Sequence, residues 1–387
     1  MTFTFVTNYL THHQLPFCLE MEKLLGKDFK LISTDDMEDE RLKMGWKIDC
    51  DSYDWYIKMS ADTAAAEKMI TDSDAVLFGG ADDWFLRDRL PAKKLTFRYY
   101  ERLYKNGRIH AFSPGGYMKN RRRHTAFNDY PVYLLCAGAY VAAEFKMLNA
   151  YPGKKLKWGY FPEFITYSAE ELKRPDRDVL KILWTGRMID WKHPEMAVYA
   201  VKALVNKGYK IHLDMIGEGE IAQYTEKIIK DNKLSGYISL RGFISPKEVR
   251  GLMRGSDIYL MTSDYKEGWG AVVNEAMNEG CAIAASAGAG AVPFLIRHRH
   301  NGMVFPSGNT DKLAAVLDEL CSDASLRSRL GIEAYKTIAG EWNAKEAALR
   351  LLNFAESALA GQDKRPENGP LSSAYDIAPS KGYKSCL

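Results

Sequence analysis

Two glutamates, Glu267 and Glu275, lie at the ends of a short segment that contains two glycines, Gly268 and Gly270. The residues that follow have a helical pattern, so the segment predicts a turn leading into a helix that begins near Gly270. The free N–H groups and the positive end of a helix dipole favour an anionic ligand group at such a position. Carboxylates accept hydrogen bonds from sugar hydroxyls. The segment therefore suits a ligand with a diphosphate between two hydroxylated rings, which is the form of a nucleotide sugar.

An amphipathic helix with two incidental acids is the alternative interpretation, and the spacing taken alone favours it. Other positions bear on the choice. Gly186 and Arg187 follow a predicted strand over residues 179–184. Lys192 precedes the next helical pattern, and Gly217 follows the next predicted strand. Arginine binds phosphate oxygens through its forked N–H groups and lysine adds a compact positive charge, so these residues strengthen the prediction of a diphosphate site.

In their order and spacing, these residues resemble the nucleotide-binding half of the family 4 retaining glycosyltransferases, over roughly residues 179–320. The resemblance implies an α/β GT-B fold, with two doubly wound Rossmann-like domains facing a cleft and a C-terminal helix that crosses back to the first domain. It implies that Glu267 faces the donor sugar and Glu275 the ribose, while Arg187 and Lys192 bind the diphosphate. The positions it assigns to donor binding are Arg187, Lys192, Gly217, Phe243, Glu267, Gly268, Trp269, Gly270, Ala271, Val272 and Glu275.

The resemblance also implies a mechanism. A nucleoside diphosphate is a good leaving group, so the main catalytic task is to stabilise its charge. In the family's usual reaction the acceptor hydroxyl attacks from the face that the diphosphate leaves, and a phosphate oxygen takes its proton. Arg187, Lys192 and Glu267 would act on the donor, and His13, in the loop after the first predicted strand, would face the acceptor. A solvated or structural histidine is the alternative for His13.

No metal and no other cofactor are expected, because basic side chains can neutralise the diphosphate of the donor substrate. The sequence departs from the family's pattern at three places. Residues 8–13 lack the glycines that are frequent in the first loop of the family. His193 follows Lys192 where glycine is common, and Phe294 follows Pro293 where an acid is common. These departures affect the positions at which the family contacts the diphosphate and the sugar.

Two other functions remain open on the sequence. A sugar-nucleotide epimerase of the same fold would need catalytic acids from both domains and no acceptor site. A non-catalytic nucleotide-sugar-binding scaffold protein would leave the donor unchanged. A dehydrogenase is rejected, because neither glycine pair, Gly217 with Gly219 or Gly288 with Gly290, completes a dinucleotide fingerprint. The sequence does not identify the donor base, the sugar, the acceptor or the oligomeric state.

The length of 387 residues predicts two domains, and 46% hydrophobic with 27% charged residues is typical of a globular protein. Predicted strands and helices alternate in both halves, which indicates doubly wound sheets. The first half includes a predicted strand over residues 108–112 and a turn over 113–116. The second half includes a predicted helix over 194–206 and strands over 210–216 and 257–261. We expect an acceptor-binding domain over residues 1–165 and a nucleotide-sugar-binding domain over 166–342. Residues 343–360 would form the crossover helix, and the polar tail over 361–387 has a composition typical of disorder.

Charge is unevenly distributed in the first half of the chain. Residues 35–83 contain 14 acids and 5 bases, whereas residues 86–124 contain 12 bases and 2 acids. The pattern over residues 91–106 predicts a helix with a basic face, and a second basic cluster follows at residues 119–124. The predicted face consists of Lys94, Arg98, Arg102 and Lys105. Two interpretations stay open: a solvated face, or attachment to an anionic membrane surface that presents a lipid-linked or other anionic glycan acceptor.

No recognisable nucleic-acid-binding module accompanies these bases, so a nucleic-acid partner is not expected. The six cysteines are scattered without a close pair, which fits a reducing compartment. Neither a signal sequence nor an apolar run long enough to span a bilayer is recognisable. We therefore expect a cytoplasmic enzyme of polysaccharide or glycoconjugate synthesis, with peripheral attachment at the inner membrane face as a hypothesis.

Overall fold

The computed structural model describes residues 1–39, 48–105, 113–175 and 177–387. These residues form two compact units. The first unit contains Met1–Glu163 and Glu341–Asp376, and the second contains Phe164–Gly340 and Ile377–Leu387. The first segment thus ends two residues before the predicted boundary at 165. In the described part of the chain, each unit is built around a parallel sheet.

Seven strands among the described residues form the sheet of the first unit, in the order β3-β2-β1-β4-β5-β6-β7. The strands are β1 (Phe3–Thr7), β2 (Phe29–Ser33), β3 (Tyr56–Lys58), β4 (Ala75–Phe78), β5 (Leu95–Tyr100), β6 (Val132–Ala137) and β7 (Lys155–Trp158). All their pairings are parallel. Every residue of β1 and β4 is buried, as expected for central strands of a parallel sheet that is covered on both faces.

Six strands among the described residues form the second sheet, in the order β10-β9-β8-β11-β12-β13, again with parallel pairings throughout. They are β8 (Leu180–Thr185), β9 (Ile211–Ile216), β10 (Ile238–Leu240), β11 (Ile258–Met261), β12 (Ala282–Ser286) and β13 (Met303–Phe305). The strand order reverses between β8 and β11. Ligands of doubly wound folds bind at such a reversal, outside the carboxyl ends of the strands.

The helices alternate with the strands, as the sequence predicts. In chain order the described α-helices are α1 (Leu15–Leu25), α2 (Thr63–Asp72), α3 (Pro114–Thr125), α4 (Val141–Met147), α5 (Ala169–Leu172), α6 (Pro194–Asn206), α7 (Ala222–Asp231), α8 (Pro246–Gly255), α9 (Val272–Asn278), α10 (Val292–Leu295), α11 (Thr310–Ser322), α12 (Ala324–Gly340), α13 (Ala344–Leu359) and α14 (Gly382–Cys386). Proline begins α6 and α8, where a missing N–H costs nothing. Each helix in the described ranges is too short or too polar to cross a lipid bilayer.

Strand β5 shows that the helix predicted for residues 91–106 is wrong. Its side chains alternate, since Phe97 packs on Phe354 of α13 while Arg98 forms an ion pair with Asp83. A spacing of four residues is an even spacing, so cations that would share one face of a helix also share one face of a strand. The spacing could not separate the two structures. Hydrogen bonding to β4 on one side and β6 on the other decides for the strand.

The neighbouring segment also differs from the prediction. Residues 113–116, predicted as a turn, include the start of α3, which therefore carries the basic cluster 119–124 on a helix. Proline at the first helical position explains the start, because Pro114 has a fixed φ and needs no hydrogen-bond partner for its nitrogen. The strand predicted for residues 108–112 lies outside the described residues.

Helix α13 coincides with the crossover helix predicted for residues 343–360. It belongs to the first unit, where it packs against α1. The Asn343 side chain caps its first turn by accepting a hydrogen bond from the N–H of Glu346 at 3.0 Å. Its buried face includes Leu351 and Phe354.

The expected disorder of residues 361–387 is corrected by the structure. Leu371 is buried, and its N–H donates to the carbonyl of Lys157 in β7 at 2.9 Å. Residues 377–387 belong to the second unit, where the carbonyl of Cys386 accepts from the N–H of His298 at 2.7 Å. The composition misled because a few apolar residues in a polar segment are enough when each one finds a buried position.

Candidate functional site

The carboxyl ends of β8, β9 and β11 bring together the loops that carry most of the predicted site residues. The loop after β8 contains Arg187 and Lys192, the loop after β9 begins at Gly217, and the loop after β11 contains Glu267. Because β8 pairs with both β9 and β11, these three loops are neighbours at one edge of the sheet. The predicted convergence of these residues is therefore present within the second unit.

Gly217 is where the first two of these loops touch. Its φ is 126°, a backbone conformation that side chains rarely adopt, and a Cβ atom there would overlap the carbonyl group of Gly186. The Gly217 N–H donates to the carbonyl of Gly242 in the next loop at 2.8 Å. Glycine is required because any side chain would push the loops apart.

Lys192 and Glu267 form an ion pair between the loop after β8 and the loop after β11. Both side chains are largely buried, with 16% and 15% of their surfaces exposed. The Ser263 hydroxyl donates to the same Glu267 oxygen at 3.1 Å, and the Thr262 hydroxyl donates to the carbonyl of Lys192 at 2.6 Å. The pair thus joins the predicted sugar-facing carboxylate to a predicted diphosphate-binding cation, in fixed positions.

The glycine-containing turn is held from below by buried contacts. Gly270 has a φ of 95°, and Trp269 is buried with its indole N–H donating to Asn274 at 2.9 Å. The N–H of Gly290 donates to the carbonyl of Glu267 at 3.3 Å. Helix α9 begins at Val272, two residues after Gly270. The other residues predicted to bind the donor in this segment, Gly268 and Ala271, therefore precede the helix.

Glu275 lies in the first turn of α9. The sequence predicted a helix that begins near Gly270, which would have placed Glu275 more than one turn inside it. Burial raises the pKa of its carboxyl group to about 7, with Arg250 opposing the shift and Glu279 adding to it. In the described part of the chain, no side chain forms a hydrogen bond or an ion pair with this carboxyl group. A partly buried carboxylate without a protein partner can accept hydrogen bonds from ligand hydroxyls.

Arg187 is the second charged group of the site that the protein leaves unpaired. Its side chain is exposed, and its guanidinium carbon lies 5.9 Å from the centre of the Trp191 ring. Within the described ranges no acid pairs with it, so its N–H groups are available to an anion. Phe243 is 55% exposed after β10, and its N–H lies 3.4 Å from a Glu218 carboxylate oxygen.

His193 is a residue of this edge to which the sequence assigned no role. It adopts a left-handed conformation with φ 49° just before α6. Its Nδ1 lies 2.9 Å from Glu195 and its Nε2 lies 3.3 Å from Asp264. Hydrogen bonding to Asp264, and then to Glu195, raises the pKa of the imidazole to about 9 against the effect of burial. The sequence does mark this position, because His193 follows Lys192 where glycine is common in the family that it resembles.

His13 belongs to the first unit, whereas the predicted donor-binding residues belong to the second. Its ring stacks on Tyr160 with 5.8 Å between centroids, and the ring of His12 lies 3.9 Å away. A small cavity beside it is lined mainly by aromatic side chains such as Tyr99 and Trp158. The predicted contact of His13 with an acceptor stays a prediction.

The predicted basic face of residues 91–106 is not a surface. Arg98 and Arg102 are buried, at 0% and 7% exposure, and all four cations have partners within the first unit. The partners of Lys94, Arg98, Arg102 and Lys105 are the carbonyl of Asp72 and the carboxylates of Asp83, Glu144 and Glu101, respectively. These bases therefore stabilise the fold. Of the two predicted basic clusters, the one on α3 has its lysine and arginine side chains exposed.

Comparison with known proteins shows which family part of the second unit resembles. Residues 169–337 match the family model described as glycosyl transferases group 1. The matched segment contains every predicted donor-binding residue, and the resemblance inferred from the sequence is confirmed at the level of group 1 glycosyl transferases.

Two curated relatives illustrate the similarity of this chain to known proteins. The chain is 25% identical over 178 residues to the lipopolysaccharide core biosynthesis glycosyltransferase LpsE of Rhizobium meliloti, covering 45% of this chain and 50% of LpsE. It is 29% identical over 143 residues to the amylovoran biosynthesis glycosyltransferase AmsK of Erwinia amylovora, covering 36% of this chain and 35% of AmsK. The chain thus spans half or less of the length of these relatives.

Similarity of fold extends beyond residues 169–337. The crystal structure of HepE from Anabaena in complex with UDP matches with a TM-score of 0.69 and 13% identity, over 92% of this chain and 100% of HepE. At this identity the match concerns the fold alone. It confirms the GT-B class expected from the sequence, with two Rossmann-like units.

Proposed function

We propose that the protein is a retaining glycosyltransferase that moves a sugar from a nucleotide-diphosphate sugar to a hydroxyl acceptor. The Lys192–Glu267 ion pair carries the proposal, because it places a cation and a carboxylate side by side at the strand-order reversal of the second sheet. Arg187 and Glu275, which no described side chain neutralises, flank it in the chain. An arrangement that leaves charges unpaired suits a ligand that brings both a diphosphate and hydroxyl groups.

In the proposed reaction, Arg187 and Lys192 neutralise the charge that develops on the leaving diphosphate. The carboxylate of Glu267 accepts hydrogen bonds from the transferred sugar, and that of Glu275 accepts them from the ribose. Gly217 lets the backbone approach the phosphates closely. The acceptor oxygen attacks the anomeric carbon from the face that the diphosphate leaves, and a phosphate oxygen takes the proton. His13 would contact the acceptor.

UDP-sugars are the first donors to test, because the HepE structure of the same fold contains UDP. The names of LpsE and AmsK favour an acceptor from lipopolysaccharide or extracellular polysaccharide synthesis. We expect the acceptor to be a glycan or a lipid-linked molecule, and the reaction to take place in the cytoplasm.

A thermal-shift screen with UDP-, GDP- and ADP-sugars tests donor binding, since a ligand that binds the folded state raises the unfolding temperature. The donor found there is then incubated with candidate glycan acceptors, and the anomeric configuration of the product is read by NMR. Retention of configuration supports the proposal and inversion contradicts its mechanism. Interconversion of free nucleotide sugars would indicate an epimerase, and binding without any turnover would indicate a scaffold.

Transfer is proposed to proceed without a divalent metal ion, because Arg187 and Lys192 can balance the diphosphate charge. Initial rates measured after extensive treatment with a chelator should stay close to those of untreated enzyme. Activity that disappears with the chelator and returns only with magnesium or manganese would contradict this part of the proposal.

Helix α3 is the surface that we propose for attachment to an anionic membrane. Lys119, Arg121 and Arg122 are exposed on it and have no ion-pair partner among the described residues. Met118, on the same helix, is 57% exposed. Lysine and arginine near an anionic bilayer contribute about 1 kcal/mol each, which salt weakens. Three such bases with an apolar neighbour suit reversible attachment.

Vesicle sedimentation distinguishes this surface from a merely solvated one. A triple change of Lys119, Arg121 and Arg122 to Ser should abolish binding to anionic vesicles at low salt. The matched control changes Lys207, Lys230 and Lys336 of the second unit to Ser, which removes the same charge, and should leave binding intact. Equal sedimentation of wild type and both variants would contradict membrane attachment through α3.

A further inference from the structure

His193 connects two of the loops that form the proposed donor site. It stands directly after Lys192 at the end of the loop following β8, and it contacts Asp264 in the loop following β11. The same two loops are joined by the N–H of Asp264, which donates to the carbonyl of Trp191 at 2.9 Å. His193 therefore adds a side-chain connection next to the Lys192–Glu267 pair.

The geometry of the imidazole requires a particular protonation state. Each ring nitrogen faces a carboxylate oxygen, from Glu195 on one side and Asp264 on the other. A neutral imidazole has one N–H and can donate to only one of them, whereas an imidazolium donates to both. Both contacts form together only when His193 is charged.

The charged groups around this contact are few. In the described part of the chain, Glu195 from α6 and Asp264 from the loop after β11 face the ring. Lys266, two residues after Asp264, pairs with Asp190 rather than with either carboxylate, and its ammonium group lies 3.2 Å from Asp190. His193 is 28% exposed, so the two carboxylates are only partly screened by water.

We propose that His193 is a positioning residue of the donor site, whose imidazolium ties α6 to the loop after β11 and so holds Lys192 and Glu267 in register. The inference rests on the proposed nucleotide-sugar function. The left-handed backbone of His193 supports it, since such a conformation is costly for residues other than glycine and persists where its surroundings compensate. Two carboxylate partners supply that compensation while the ring is charged.

The pH range follows from the shift of the imidazole. The pKa of His193 is raised from an ordinary value of 6.5 to about 9, so the connection is complete below pH 6.5 and is lost as the pH rises through 9. Nucleotide affinity should therefore fall over the same range in the wild type. A variant without the imidazole should lack this part of the pH dependence.

The test measures dissociation constants of UDP, GDP and ADP by calorimetry between pH 7.5 and 10. His193→Gly fits the left-handed backbone without strain, and His193→Asn tolerates it, so both variants should fold. At pH 7.5 each should bind the nucleotide about three- to tenfold more weakly than wild type. The ratio of variant to wild-type constants should approach one near pH 10, and taking the ratio removes the ligand's own titration.

Two further variants separate positioning from a general loss of stability. Asp264→Asn should move the pH midpoint of binding below that of wild type, because it removes the partner that raises the imidazole pKa most. His212→Asn, which changes a histidine on β9 that lies 3.6 Å from Asp214, should behave as wild type at every pH. Histidine NMR should show both His193 nitrogens protonated at pH 7.5 in the free protein.

A variant-to-wild-type ratio that stays constant with pH would overturn the positioning role while leaving the proposed function intact. An imidazole that titrates near 6.5 in the NMR experiment would overturn it independently of any ligand. Failure of all three nucleotides to bind wild type at pH 7.5 would overturn the proposed function, and the positioning role with it.

Discussion

The interior of the first unit and the carboxyl edge of the second sheet use charges in opposite ways. In the first unit Arg89 is fully buried, and its guanidinium donates to the carbonyls of Ile70 and Ser73 at 2.9 and 2.6 Å. Arg98 and Arg102 are likewise buried against acids. Among the described residues of the second unit, the carboxyl edge of the sheet holds Arg187 and Glu275 without an ion-pair partner. We call a charge saturated when protein groups satisfy its hydrogen bonds or pair with it. Saturated charges stabilise a fold, whereas unsaturated charges cost stability and are kept where a ligand supplies the missing partner.

Removing a saturated charge in the first unit should have the largest effect on stability. Arg102→Met leaves Glu144, whose side chain is fully buried, with the N–H groups of Leu103 and Tyr104 as its donors among the described residues. Leaving such a charge unpaired costs about 3–5 kcal/mol of unfolding free energy. Urea denaturation measures the loss. Lys105→Met, which breaks the more exposed pair with Glu101, should cost less than about 1 kcal/mol. Equal losses in the two variants would remove the distinction between buried and exposed pairs.

Glu267→Gln should have the largest effect on activity. It keeps the size of the side chain but removes the charge that pairs with Lys192 and that, in the proposed function, accepts hydrogen bonds from the transferred sugar. Transfer should fall about 10²- to 10³-fold, equivalent to about 2.7–4 kcal/mol of transition-state stabilisation, with the unfolding temperature little changed. Glu226→Gln, at an exposed pair on α7, is the control and should keep full activity. Normal turnover by Glu267→Gln would remove this glutamate from the site.

Arg187→Ala should weaken the binding of the free nucleoside diphosphate without changing stability. Loss of a hydrogen bond to a charged group costs about 1.5–3 kcal/mol, so calorimetry should show affinity reduced by roughly 10- to 100-fold. Arg299→Ala removes an arginine that is paired with Glu319 and should not change affinity. If the two variants bind equally well, Arg187 is an ordinary surface charge.

Glu275→Gln should change stability in the direction opposite to Arg102→Met. The carboxyl pKa rises from an ordinary 4.5 to about 7, so ionisation destabilises the fold progressively as the pH rises from 4.5 to 7. The variant should be more stable than wild type by about 1–2 kcal/mol at pH 8, a value reduced for partial exposure, and nearly unchanged at pH 4. Its affinity for the donor should be lower. A variant that loses stability at pH 8 would show that Glu275 has a structural role.

The second unit was predictable from the sequence to a large extent. The predicted helix 194–206 is observed as α6, and the predicted strands over 210–216 and 257–261 are observed as β9 and β11. These elements are long or strongly patterned, and the loops between them are short. Gly217 directly follows β9 and Glu267 lies in the loop after β11, so their place at the carboxyl edge depends on local order in the chain rather than on distant contacts.

The first unit was less predictable, because its decisive interactions join residues far apart in the chain. The sequence around Arg98 is compatible with an exposed helix. In the structure Arg98 contacts Asp83 and also Tyr151, which lies 53 residues away in the chain. A basic residue pattern carries no information about whether buried partners exist. The same limitation applies to the polar segment that ends in α14.

The sequence by itself determined the α/β class, the chain order of the donor-site residues and their chemical types, since these depend on periodicity and on short-range spacing. Only the tertiary structure decided which charges are saturated. It paired Lys192 with Glu267 across two loops, left Glu275 without a partner in the described part of the chain, and placed His193 between two carboxylates. Pairing depends on distances between side chains from different elements, and those distances are fixed when the strands assemble into a sheet.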